Sequence, residues 1–96
     1  MEIIQREKEG QTLLILEGVL DLESLNSLKE RLMDSMREQK GVIIDLQNVE
    51  AWSAAGIQLL WSAKKTAQAR NQLFSMINAS SSLIMTSNEI GAFNFL

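Results

Sequence analysis

The stretch that decides the fold runs from Gly41 to Gly56, GVIIDLQNVEAWSAAG. It opens on an apolar run, Val42-Ile43-Ile44, that ends in a carboxylate, Asp45. A polar pair follows, Gln47-Asn48, and then Trp52-Ser53-Ala54-Ala55-Gly56 leads into a long amphipathic segment. This reads as a buried strand over Val42–Leu46, a loop over 47–53, and the N-terminus of a helix over 53–70. The first N–H groups of a helix have no partner inside it, so such a point attracts anions and partner side chains. In open α/β sheets, sites gather at the carboxyl ends of strands. The turn around Ser53 is therefore where function is expected.

Working outward toward the N-terminus, Leu22, Leu25, Leu28, Leu32 and Met36 recur at helical spacing. Glu30, Arg31, Asp34 and Arg37 fall largely on the other side. Asp21 is placed to cap this helix, and Glu23 suits its positive end. The helix is expected to end near Gln39-Lys40-Gly41, with Gly41 stopping it. Before it, Thr12–Leu16 reads as a strand, apolar almost throughout, so both its faces are expected to be covered. Gly18-Val19-Leu20-Asp21 reads as a turn. Ile3-Ile4 belongs to a first strand, and Gly10-Gln11 fits a hairpin tip.

Toward the C-terminus, Ile57, Leu60, Trp61 and Ala67 give the second helix an apolar face. Its alanines let it lie close to a sheet. Leu73–Ile77 reads as a fourth strand. Ser80-Ser81-Ser82 caps a third helix from Leu83 to about Ile90, closed by Gly91, and the tail Phe93–Leu96 is expected to dock on the sheet. The order β-β-α-β-α-β-α implies parallel pairs with right-handed crossovers. The fold class is α/β: a small mixed sheet, edged by an antiparallel hairpin and flanked by helices. The 96 residues are expected to form a single domain over 1–96.

Composition narrows the chemistry. The chain has no cysteine and no histidine. That removes thiolate metal sites and the commonest general base and zinc ligand. No Ser/His/Asp set or glycine-rich phosphate loop is present, so no cofactor, no bound metal and no catalytic residue is expected. The net charge of −3, with scattered Lys and Arg, argues against nucleic acid. No apolar run is long enough to span a bilayer, so no membrane insertion is expected. Met1-Glu2-Ile3-Ile4 lacks the basic-then-apolar pattern of a signal peptide, which points to the cytoplasm. Asp21 and Asp45 could share a metal ion as paired carboxylates do. Asp21 as a helix cap, and Asp45 as an acceptor for loop N–H groups, is the simpler reading. Trp61 and the methionines Met33, Met36, Met76 and Met85 read as core, whereas Trp52 reads either as a partner anchor or as a buried residue.

With these residues in place, the chain resembles the STAS domain family of bacterial anti-sigma-factor antagonists over nearly its whole length. Gly18-Val19-Leu20-Asp21 resembles the family's turn before its first helix. Ile43-Ile44-Asp45-Leu46 followed by Val49 resembles its central strand and loop. Asn88-Glu89-Ile90-Gly91 with Phe95 resembles its closing helix and tail. Ser53-Ala54-Ala55-Gly56-Ile57 stands where the family often has Asp-Ser-(Ser, Thr or Ala)-Gly-(Leu or Ile). The resemblance implies a regulatory protein partner, such as a kinase-type anti-sigma factor. It also implies a phosphoacceptor hydroxyl at the second motif position, which here is Ala54 and has none. The neighbouring Ser53 could serve as a shifted phosphoacceptor, but a helix cap is the favoured reading. The expected partner surface is Asp21, Asn48, Glu50, Trp52, Ser53, Ala54, Gly56 and Ile57. Alternatives are a STAS subunit of a larger assembly, such as a lipid-transport ABC complex or a chemosensory array, and, less favoured, a receiver-like or nucleotide-binding enzyme built on Asp21 and Asp45.

Overall fold

A computed structural model of the chain describes residues 2–51 and 53–89. In chain order its elements are β1 (Glu2–Lys8), β2 (Gln11–Val19), α1 (Leu22–Arg37), β3 (Val42–Ala51), α2 (Ala54–Ala69), β4 (Phe74–Ile77) and α3 (Ser81–Glu89). The strands form one sheet in the order β1-β2-β3-β4. β1 pairs with β2 antiparallel, while β2, β3 and β4 run parallel. Two right-handed crossovers stepping the same way across a sheet put their helices on one face. α1 and α2 accordingly touch one another, and α2 also contacts β4 and α3. This is the mixed α/β architecture expected from the hydrophobic pattern.

The core lies between that helical layer and the sheet. Leu14 and Leu16 of β2, Val42, Ile44 and Leu46 of β3, Leu28 and Leu32 of α1, and Ile57 and Leu60 of α2 are all buried, joined by Leu83 of α3. Burial alternates along β2: Thr12, Leu14 and Leu16 are sealed, whereas Leu13 and Ile15 are half-buried. The expectation that both faces of this strand are covered is thus corrected among the described residues. Trp61 is half-buried against the core rather than inside it, and the Lys65 ammonium lies 4.6 Å from the centre of its ring. Of the four methionines read as core, Met36 is buried and Met76 packs against the core, while Met33 and Met85 are exposed.

Several boundaries differ from the sequence reading, each for a local reason. The hairpin tip is Glu9-Gly10, one residue earlier than expected, because Lys8 pairs with Gln11. Both tip residues have positive φ, 54° and 80°, as the tight two-residue turn requires. Helix α1 stops before Gly41. Gln39 takes the left-handed conformation at φ 58°. Its N–H donates to Met36 O at 3.1 Å, and that of Lys40 to Ser35 O at 3.2 Å. That double bond satisfies the last carbonyls of the helix. Asn71, at φ 56°, closes α2 in the same way through Gln72 N–H to Ala67 O at 2.8 Å. β4 begins at Phe74 rather than Leu73. α3 begins at Ser81, where Ser80 Oγ accepts from Leu83 N–H at 3.1 Å. The closure expected of Gly91 and the docking of Phe93–Leu96 lie outside the described residues.

The largest departure concerns the strand ends beside the candidate site. β2 continues through Gly18-Val19, and β3 continues to Ala51. The first half of the expected turn, Gly18-Val19, and most of the expected loop are therefore sheet. The pairing shifts register twice on the way, between Ile15 and Glu17 and again between Gly18 and Val19. Such bulges re-aim the side chains around them and strengthen the local twist.

Candidate functional site

The crossover topology brings the starts of α1 and α2 to the same end of the sheet. At α1, Asp21 has extended backbone, and its Oδ1 accepts from Ser24 N–H at 2.9 Å. This charge-assisted cap holds the exposed Asp21 carboxyl below its ordinary pKa, the Ser24 backbone N–H being the main cause. At α2, Ser53 is also extended, at φ −112° and ψ 158°, and its Oγ accepts from Gly56 N–H at 3.1 Å. Ser53 is the N-cap that its place before helical periodicity implies. Its hydroxyl is half-buried and engaged in this bond.

Two contacts tie the helix starts together. Leu20 N–H, immediately before Asp21, donates to Ala51 O at 3.3 Å. The buried Leu20 side chain also lies directly against Gly56. A Cβ on Gly56 would run into Leu20 Cδ2. Glycine therefore stands here for close approach, not for an unusual φ. Around this junction Asp21, Asn48, Glu50, Ala51, Ala54 and Ala55 are exposed. Val19 is an exposed apolar side chain at 47%. A shallow depression beside them is lined by Glu2, Glu17, Asn48, Val49 and Glu50, among others. The patch is acidic at its rim, small and apolar at its centre.

Most of the expected surface residues are brought together, with distinct roles. Asp21, Asn48, Glu50 and Ala54 are open to solvent. Gly56 and Ile57 are buried, Ile57 completely. They are corrected from contact residues to residues that seat the helix on the sheet, because the first turn of α2 turns that side toward Leu20 and the core. Trp52 lies outside the described residues. Sequence reading missed Val19, Ala51 and Ala55. Ala55 lies within the quoted motif. Val19 and Ala51 become partners only through the β2–β3 pairing.

The carboxylates proposed for metal or phosphoryl chemistry are otherwise engaged. Asp21 caps α1. Asp45 accepts from Gln47 N–H at 3.0 Å and from Asn78 Nδ2 at 3.1 Å. Among the described residues, no three His, Cys, Asp or Glu side chains converge on a metal-sized site. No helix among them is long and apolar enough to cross a membrane.

Two capped helix starts thus lie over one end of a short, mostly parallel sheet. The sequence profile described as "Mlab, STAS domain" matches residues 4–92, and the chain belongs to the STAS domain family. Solved structures are also similar, among them the following three. The anti-sigma factor antagonist SpoIIAA of Bacillus, in its unphosphorylated form, aligns at a TM-score of 0.78 and 12% identity, over 97% of this chain and 84% of that one. A Ser-to-Glu variant of RsbS from Moorella thermoacetica aligns at 0.80 and 19%, over 95% and 79%. The protein described as Mglu aligns at 0.71 and 17%, over 81% of this chain, which spans only 20% of that protein's length. At these identities the likeness is one of fold. Comparison with curated proteins gives no match.

Proposed function

We propose that this chain is a non-enzymatic, cytoplasmic regulatory module that binds a protein partner, such as a kinase-type anti-sigma factor, through the patch at the starts of α1 and α2. The observation that carries this reading is Ala54. It stands exposed in the first turn of α2, next to a serine occupied in capping, at the position where the family resemblance places a phosphoacceptor. Without a hydroxyl there, the patch stays in one charge state. Phosphate would otherwise add nearly two negative charges at a helix start and change the contact surface. Asn48, Glu50, Val19 and Asp21 frame the same patch and supply polar and apolar contacts.

The test is a binding titration of the full chain against the anti-sigma factor of its own cell. Ala54→Glu and Glu50→Lys are each expected to weaken binding by about tenfold or more, with circular dichroism unchanged. Retention of full affinity by both variants would overturn the assignment of the surface. Stoichiometric transfer of phosphate from a cognate kinase to Ser53 would overturn the fixed charge state.

A second reading is favoured by the same alanine. A STAS subunit of a larger assembly, of the lipid-transport ABC or chemosensory kind, makes a permanent contact that needs no hydroxyl. Co-purification with an assembly subunit, and not with a kinase-type partner, distinguishes it.

A further inference from the structure

A second surface lies away from Ser53, between the later turns of α1 and α2. Each helix contributes one stripe of residues three and four apart: Lys29, Leu32, Met33, Met36 and Arg37 from α1, and Leu59, Ser62, Ala63, Thr66 and Arg70 from α2. The groove between them has a volume of about 270 Å³. It exists because the α2 stripe is small. Ser62, Ala63 and Thr66 do not fill the space that longer side chains would close. Leu32, Met36 and Ala63 form a buried floor. Met33 stands 44% exposed on one lip, and methionine adapts its shape to varied apolar partners.

The charges on this groove are of one sign. Lys29, Arg37 and Arg70 line it, and no carboxylate does, on a chain whose net charge is −3. Arg37 and Arg70 also face a second depression at the C-terminal ends of both helices, which continues the groove. Arg37 pairs with Asp34 at 3.2 Å, but both side chains are about two-thirds exposed. Such a pair contributes little and exchanges readily. Lys29 and Arg37 are eight residues apart on one helix, so roughly 12 Å separates them along its axis. A single anionic headgroup meets only one of them. Carboxylates two turns apart on a second helix meet both.

We propose that the α1/α2 groove receives an amphipathic helical segment of a partner protein, its apolar residues on Leu32, Met33 and Leu59 and its carboxylates on Lys29, Arg37 and Arg70. This is the helix-in-groove mode of recognition. The surface is separate from the patch at Ser53. Arg70 lies on the order of 25 Å along α2 from that helix start.

The full chain, labelled with nitrogen-15, tests this with two synthetic probes. One is a helical peptide of about 18 residues with leucines on one face and glutamates flanking them. The other carries lysines in place of the glutamates. The acidic peptide is expected to shift the amide signals of Met33, Leu59, Ser62 and Thr66 and to saturate below about 1 mM, with the basic peptide roughly tenfold weaker. The double variant Lys29→Glu, Arg70→Glu changes exposed residues only and is expected to reverse that preference while strand signals stay in place. No saturation by the acidic peptide, equal binding of the two peptides, or an unchanged preference in the double variant overturns the proposal. Displacement of the acidic peptide by phosphatidylglycerol vesicles, with the same signals shifted, would make the groove a lipid site and overturn it too.

Discussion

Gly56→Ala tests how the two helix starts are held together. The added methyl points into Leu20 Cδ2, and Leu20 is buried in the core with 2% of its surface exposed. Leu20 has little room to swing away, so the change is an overpacking substitution, which costs about 1–3 kcal/mol. Against this, alanine favours a helical position over glycine by up to about 1 kcal/mol. The net loss is about 1–2 kcal/mol. For a domain of this size that lowers Tm by roughly 5–15 °C. The assay is thermal and urea unfolding of four proteins: the wild type, Gly56→Ala, Leu20→Val and the double variant. Leu20→Val removes the δ-methyl that would be struck. In that background the methyl at 56 is expected to lose most of its cost, giving a coupling of about 1–2 kcal/mol. A Gly56→Ala protein as stable as wild type would refute the close approach. An equal loss in both backgrounds would show that Leu20 is not what the methyl meets.

Ser53→Ala removes the hydroxyl that accepts from Gly56 N–H. It is expected to cost about 1 kcal/mol, seen as a Tm lower by a few degrees, whereas Ser53→Asp keeps the cap and the stability. Glu9→Asn at the hairpin tip, where φ is 54°, is expected to raise stability by about 0.5 kcal/mol in urea unfolding, because asparagine tolerates the left-handed region better than glutamate. Asp21→Asn separates charge from capping, since asparagine keeps the acceptor. The folded-state pKa of Asp21 is depressed by the Ser24 N–H. Its ionisation therefore stabilises the fold above the unfolded value of about 4, and the contribution disappears as pH falls through the lower folded value. The Tm difference between wild type and Asp21→Asn is expected to be constant from neutral pH down to about pH 5 and to shrink below it. A difference that grows on acidification would refute the cap's charge.

What could be read in the sequence was what local chemistry decides. Asp21 and Ser53 are capping residues placed directly before amphipathic runs, and both caps are present. The stripe Leu25, Leu28, Leu32 and Met36 turns one side of α1 toward the core, as its period demands. The strand ends were not legible. Gln47, Asn48 and Glu50 are polar, and the two register shifts break the alternation by which a strand is read. Only the pairing of β2 with β3, a non-local fact, makes 47–51 sheet. The end of α1 falls near the expected stretch, but the stop is Gln39 and not Gly41, because a glutamine takes the left-handed position that glycine usually holds. The lip position of Met33 follows from how α1 and α2 meet, which no single segment encodes.

The topology explains why the surface at this end of the sheet can be altered without unmaking the fold. Parallel strands joined by right-handed crossovers put every helix start at the same end of the sheet. The positive ends of α1 and α2 therefore converge beside Ala51 and Leu20. Residue 54 projects from the outside of that junction, while Gly56 and Ile57 on the inside do the packing. A negative group added at 54 meets the favourable end of a helix dipole and displaces nothing from the core. It alters the exposed surface and leaves the stability of the domain nearly as it was. Among the motif residues, then, stability rests on 53, 56 and 57, while 54 is exposed and, under the proposed function, sets the charge of the contact patch. On the proposed reading, that division would let alanine at 54 hold one charge state with no structural cost.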